Sequence, residues 1–152
     1  MREVFGYHIK SISDHEHREL QPREVYDIFV RDFVNHVGDV AVTKAVYTDD
    51  NEGIRAESMI EYCGESRACE SFGNGRLDAV SNAVKSVVGL DYSLETYNQH
   101  ALEGKTTAKA ASYVSIKYSG KLYWGTGVDS DIIVSSVKAL VSAVNRMLED
   151  LK

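Results

Sequence analysis

Apolar positions along the chain alternate between a period of two and a period near 3.6, and the changes of period divide it. Val4, Phe5, Tyr7, Ile9 and Ile12 are β-forming residues in partial alternation, which predicts an extended segment over 1–12. Residues 13–21 are polar and read as a loop. Pro22 suits a helix start, where its missing N–H would be unpaired anyway. Val25, Ile28, Phe29, Phe33 and Val37 follow at helical spacing as far as Gly38, a plausible stop. A strand, a loop and one helix cannot enclose a core, so residues 1–38 read as a linker or subdomain segment.

From Asp39 the period shortens. Residues 39–49 are β-rich and 49–53 form a turn. Over 54–63 Ile54, Ala56, Ile60 and Tyr62 share one face, with Arg55, Glu57 and Glu61 on the other. The chain turns at Gly64-Glu65 and returns over 66–72, and a helix is predicted over about 76–89 with the stripe Leu77, Val80, Val84, Val87 and Val88. A second set follows. Residues 90–102 are strand-like in part, 107–118 and 121–128 read as strands around the turn Ser119-Gly120, and a last helix spans about 130–151. Its stripe is Ile133, Val137, Leu140, Val141, Val144 and Leu148.

The two sets resemble each other. I-E-Y-C-G-E (60–65) and I-K-Y-S-G-K (116–121) lie 56 residues apart, F-G-N-G (72–75) and W-G-T-G (124–127) lie 52 apart, and V-K-S-V-V (84–88) and V-K-A-L-V (137–141) lie 53 apart. Three anchors in the same order predict a duplication, with repeat one at about 39–89 and repeat two at about 90–152. The expected fold is α+β: internally duplicated βββα units with pseudo-twofold symmetry, preceded by a short strand–loop–helix segment.

Charge and composition narrow the function. With 17 basic and 23 acidic residues the net charge is −6. Nucleic-acid binding draws on a Lys/Arg footprint, and anionic membranes attract the same charges, so neither partner is expected. No apolar run approaches the ~18 residues of a membrane span. The sequence MREVFGYHIK carries no signal-peptide pattern, and a cytoplasmic location is expected. Cys63 and Cys69 are too few for a disulfide scaffold, and no second Cys or His pair sits at zinc-finger spacing.

Candidate chemistry is sparse. Gly73-Asn74-Gly75 and Gly125-Thr126-Gly127 are each expected to join a strand to a helix start. Glycines allow φ > 0 and close approach, and the helix start offers unpaired N–H groups, so each is a candidate cradle for a carboxylate or phosphate, or a plain tight turn. Neither continues as G-x-G-x-x-G, which argues against a dinucleotide. Asp129 and Asp131, and Asp78 earlier, read either as acceptors for an amine or as helix caps. Asp14-His15-Glu16-His17 has metal-ligand chemistry but no fourth partner on a polar loop. His100 either lines a pocket or packs. No nucleophile signature such as G-x-S-x-G occurs, so a catalytic role is not indicated.

Five segments carry a family resemblance: G-N-G-R-L-D-A (73–79), Y-N-Q-H-A-L-E-G (97–104), A-K-A-A-S-Y-V (108–114), W-G-T-G-V-D-S-D-I (124–132) and K-A-L-V-S-A-V-N-R (138–146). Together they resemble the C-terminal regulatory domain of 2-isopropylmalate synthase. R-E-V-F, I-S-D and P-R-E-V-Y-D-I-F within 2–29 look like the segment before that domain in long-form enzymes. Citramalate and homocitrate synthases share parts of the pattern.

The resemblance implies a regulatory domain over 39–152, with residues 1–38 joining it to a catalytic part that this chain lacks. It implies a homodimer that binds leucine, or a similar amino acid, as feedback inhibitor. It also implies no activity in this chain alone and no cofactor within it, a divalent metal being expected only in the catalytic part. The effector site carried over comprises Gly73, Asn74, Gly75, Leu77, Leu94, Tyr97, His100, Ala101, Ala108, Asp129 and Asp131. Arg76 stands where the family usually has Pro, and it places an added cation at the cradle. The alternatives are another amino-acid effector, as in the related synthases, or a dimerisation module whose glycine turns only pack helices.

Overall fold

A computed structural model describes residues 2–102 and 109–152. Two helices, α1 (Arg2–Glu16) and α2 (Pro22–Phe33), precede β1 (Val40–Asp50), β2 (Gly53–Tyr62), β3 (Glu65–Gly73) and α3 (Arg76–Val88). The pattern then repeats as β4 (Ser93–Leu102), β5 (Lys109–Tyr118), β6 (Lys121–Asp129) and α4 (Ile132–Asp150). Each set of strands forms an antiparallel sheet, in the orders β1-β2-β3 and β4-β5-β6. The fold is the expected α+β pair of βββα units.

The front of the chain is where the expectation fails. Residues 2–16 are helical and not extended. Phe5, Ile9 and Ile12 satisfy a helical period as well as a partial period of two, because short apolar runs are ambiguous between the two. Packing decides: the Phe5 ring meets Phe29 and Phe33 edge-on, at 5.2 and 5.4 Å between centroids. The second helix ends at Phe33, short of Gly38. Val34 turns extended and bridges to Thr126 of β6, and the Asn35 N–H donates to the Thr126 carbonyl at 2.7 Å, so an available strand edge takes over the backbone bonds.

The repeat has a stricter register than the sequence anchors suggested. β2, β3 and the start of α3 all map onto β5, β6 and the start of α4 with an offset of 56. Both hairpins turn on a residue pair of positive φ, Cys63-Gly64 (52° and 83°) and Ser119-Gly120 (51° and 79°), as a two-residue turn of that hand requires. Both first strands carry a bulge at the same place, between Val42 and Lys44 and between Leu94 and Thr96. Val42 pairs with Ile60 and Leu94 with Ile116, so the offset in these strands is 52. The change arises between first and second strands, where residues 51–52 in one repeat correspond to 103–108 in the other. The glycine anchors are therefore not equivalent: Gly125 matches Cys69, Gly127 matches Ser71, and Gly73 matches Asp129.

Gly125-Thr126-Gly127 is not a turn before a helix; it lies inside β6. A Cβ on Gly125 would overlap the backbone of Ala139 and Ala143, and one on Gly127 the backbone of Ser135 and Ala139. These glycines let α4 lie directly on the strand. In repeat one the Ser71 hydroxyl fills the matching place and donates to the Ala79 carbonyl at 2.6 Å. One core joins the repeats, with Ile60, Val80, Val84, Val114, Ile116, Leu140 and Val144 fully buried.

Candidate functional site

Between the repeats lies a cavity of about 380 Å³. Its walls come from the start of α3 (Gly75, Arg76, Leu77 and Asp78), from Leu94 and Tyr97 on β4, and from Ile133, Ser136 and Val137 on α4. Leu77, Leu94, Ile133 and Val137 make an apolar wall. At its base the Ser136 hydroxyl is bonded to Tyr97 Oη at 2.6 Å and accepts from Gln99 Nε2 at 3.0 Å, while donating to the Ile132 carbonyl at 2.8 Å.

The helix start at the rim carries no side-chain cap. Gly75 is the N-cap residue of α3, in an extended conformation (φ −148°, ψ 179°). The first turn of a helix leaves N–H groups without intrahelical partners and a partial positive charge. Here the Asn74 N–H is taken by Asp78, which accepts at 2.9 Å, and the Ala79 N–H closes onto the Gly75 carbonyl at 3.0 Å. The Leu77 and Asp78 N–H groups belong to this first turn, where the helix itself offers them no acceptor.

The pseudo-twofold produces a second cavity, of about 370 Å³, against Val42, Ala45 and Tyr47 of β1 and the start of α4. Val42 and Ala45 hold the positions of Leu94 and Tyr97. Its helix start is closed. Asp131, the counterpart of Gly75, accepts from the N–H groups of Ile133 (2.8 Å) and Val134 (3.1 Å). Arg76 reaches between the two cavities, its guanidinium 5.8 Å from the centre of the Tyr47 ring. Burial pushes the Tyr47 phenol up, Arg76 opposes this and Asp131 adds to it.

Gly75, Leu77, Leu94 and Tyr97 thus meet at one cavity. Gly73 is not among the lining residues; a Cβ there would lie 2.5 Å from the Ala79 nitrogen and 2.7 Å from Asp78 Oδ2, so it serves the close approach of α3 to β3. Asn74 contributes a backbone donor that Asp78 already occupies. Asp129 pairs with Lys138 at 2.7 Å and accepts from the Asp131 N–H at 3.0 Å. The Lys138 ammonium holds its carboxyl below the usual range. His100 is exposed, its ring 5.7 Å from Tyr113 edge-on, on the sheet face opposite Tyr97. Ala101 of β4 pairs with Ala110 of β5, and Ala108 lies outside the described residues. Sequence reasoning missed Ile133, Ser136 and Val137; the available signal was the serine interrupting an apolar helical stripe.

Other chemistry is limited among the described residues. No group of three or more His, Cys, Asp or Glu side chains is placed to hold a metal. Glu16 of the acidic-histidine stretch pairs with Arg18 at 2.8 Å. Cys63 and Cys69 are free thiols. No described helix is long and apolar enough to cross a membrane.

The fold and cavity define a duplicated βββα module with one capped and one uncapped helix start between its repeats. The family model described as the LeuA allosteric (dimerisation) domain matches residues 19–148, and the chain belongs to that family. It is 40% identical over 151 residues to a 2-isopropylmalate synthase of Desulfitobacterium hafniense, covering 99% of this chain and 27% of that protein. It is 37% identical to the 2-isopropylmalate synthase of Helicobacter hepaticus, over 97% of this chain and 28% of the relative. The chain spans about a quarter of the length of these curated relatives.

Proposed function

We propose that the chain is the effector-binding domain of a 2-isopropylmalate synthase and that the 380 Å³ cavity receives leucine as feedback inhibitor. The observation that carries this reading is the contrast between Gly75 and Asp131. In repeat two a carboxylate caps the second and third residues of the helix. In repeat one the same two donors are left to a carboxylate brought by a ligand. An amino acid has that carboxylate. Its aliphatic side chain fits the wall of Leu77, Leu94, Ile133 and Val137, and its ammonium finds an acceptor in Asp78, which lines the same cavity.

The domain acts as a homodimer, a reading supported by the family's description as a dimerisation domain. In the cytoplasm it controls a catalytic part carried elsewhere in the longer enzyme, where any divalent metal belongs. A panel of leucine, isoleucine, valine and lysine in a melting assay tests the reading. A ligand at 100 times its dissociation constant stabilises the native state by about 2.7 kcal/mol, a shift of several degrees for a domain of this size. Leucine is expected to give the largest shift. No response to any member of the panel removes the effector role.

A further inference from the structure

The two helices that end the repeats differ in length. α3 has 13 residues and stops at Gly89, which turns left-handed (φ 72°) with its N–H on the Lys85 carbonyl. α4 has 19 residues, and the residue matching Gly89 by the offset of 56 is Asn145. The segment 145–150 therefore has no helical counterpart in repeat one.

Three side chains of this segment grip the connection between α2 and β1. The Asn145 amide is fully buried; its Oδ1 accepts from the Val40 N–H at 2.9 Å, and its Nδ2 donates to the carbonyls of Val40 (3.0 Å) and His36 (3.4 Å). Arg146 donates to the Asp32 carbonyl at 2.8 Å and lays its guanidinium 3.7 Å from the Phe33 ring centre. Glu149 meets His36 Nε2 at 2.7 Å. One turn earlier, Ser142 donates to the Phe33 carbonyl at 2.9 Å. Gly38 passes so close that a Cβ would lie 2.8 Å from the Asn145 side chain.

The gripped strap runs between bodies. Asn35 is pinned to β6 in repeat two, its Oδ1 accepting from the Val128 N–H at 2.9 Å. Val40 opens β1, in repeat one. α4 lies backbone on backbone against β6 at Gly125 and Gly127, so α4 and the second sheet form one unit. The opposite end of α4 supplies Ile133, Ser136 and Val137 to the cavity. The cavity is bounded by α3 of repeat one and by β4 and α4 of repeat two, so an occupant touches both repeats. The strap is held by repeat two and continuous with repeat one.

Resting on the reading that leucine occupies the cavity, we infer that the α4 extension transmits occupancy of the cavity to the α1–α2 pair, with Asn145 as the positioning residue of the coupling. Two distinct places are then linked through one element, and the second global state that allostery also requires is what the exchange experiment reads.

The test is hydrogen exchange of the full chain with and without saturating L-leucine, binding itself being followed by calorimetry. The amides of Asn35, His36 and Val40 are expected to slow several-fold, while those of Glu57 and Glu70, paired within the first sheet, change little. Asn145→Ala is expected to keep the heat of leucine binding and lose the strap response. Binding heat with an unchanged strap overturns the inference, as does a strap response that survives in a folded Asn145→Ala protein. Absence of any binding heat overturns the cavity reading, and the coupling falls with it. Asn145→Ala strips the Val40 N–H of its partner, so if that protein fails to fold the wild-type exchange pattern decides by itself.

Discussion

Gly75 and Asp131 stand 56 residues apart at the same point of the two repeats, each the residue before its helix, and only Asp131 supplies a carboxylate to the helix it opens. An internal duplication gives its own reference state here. The two βββα units share register, bulge and hairpin, so the places where they differ mark what was added to a bare scaffold.

Replacing Gly75 by Asp should install the cap that repeat two already has. The position is extended and a Cβ there meets nothing within 4 Å, so the side chain has room. Apo stability should rise by only about a few tenths of a kcal/mol, because Gly is itself a tolerable N-cap. The leucine-induced melting shift should vanish, because the new carboxylate occupies the same donors. Gly75→Ala should keep the shift, since Gly75 needs neither positive φ nor close approach.

Gly127→Ala should be far more damaging than Gly75→Ala. The added methyl overlaps the Ser135 carbonyl and the Ala139 nitrogen, forcing α4 away from β6. Overpacking of this kind costs about 1–3 kcal/mol. Urea unfolding of the two variants side by side checks the order, and equal midpoints would refute it.

Cys63→Asn should stabilise the β2–β3 hairpin. Cys63 holds φ 52° before Gly64, a conformation in which Asn-Gly is favoured and cysteine is not. A gain of about 0.5 kcal/mol is expected, read as a higher melting temperature. Ser119→Asn, at the matching turn, should behave the same way.

Acid should loosen the attachment of α1 to α2. The Arg31 guanidinium, bonded at 2.7 Å, and then the His8 ring, also at 2.7 Å, hold Asp32 down to about 2 against an opposing push from burial. A carboxyl depressed in the folded state stabilises it fully above the ordinary aspartate range, and that contribution is lost as pH falls through about 2. Asp32→Asn should flatten the loss of melting temperature between pH 4 and about 2. An acid limb as steep as that of the parent would remove Asp32 from this role.

Static light scattering at tens of micromolar should return twice the chain mass. A monomer there would contradict the dimer reading.

What could be read in the sequence was whatever local pattern decides. The alternation Ile54, Ala56, Ile60, Tyr62 gave a strand with one buried face, and Leu77, Val80, Val84, Val87 gave a helix. The similarity of I-E-Y-C-G-E to I-K-Y-S-G-K revealed the duplication, because a two-residue turn of positive φ keeps Gly at its second position in both copies, Gly64 and Gly120.

Tertiary contact decided the rest. Phe5, Ile9 and Ile12 suit either period, and only the aromatic packing against Phe29 and Phe33 selects the helix. Gly125-Thr126-Gly127 reads like a turn, yet its glycines lie mid-strand because the backbone of α4 needs the space their side chains would take. Leu77, Leu94 and Tyr97 were candidates from resemblance, but Ile133, Ser136 and Val137 complete the same wall only when α4 packs beside β4. Asn145 shows no local pattern at all. An amide on an otherwise apolar helix face becomes a clamp on Val40, 105 residues away, because burial makes every one of its hydrogen bonds obligatory.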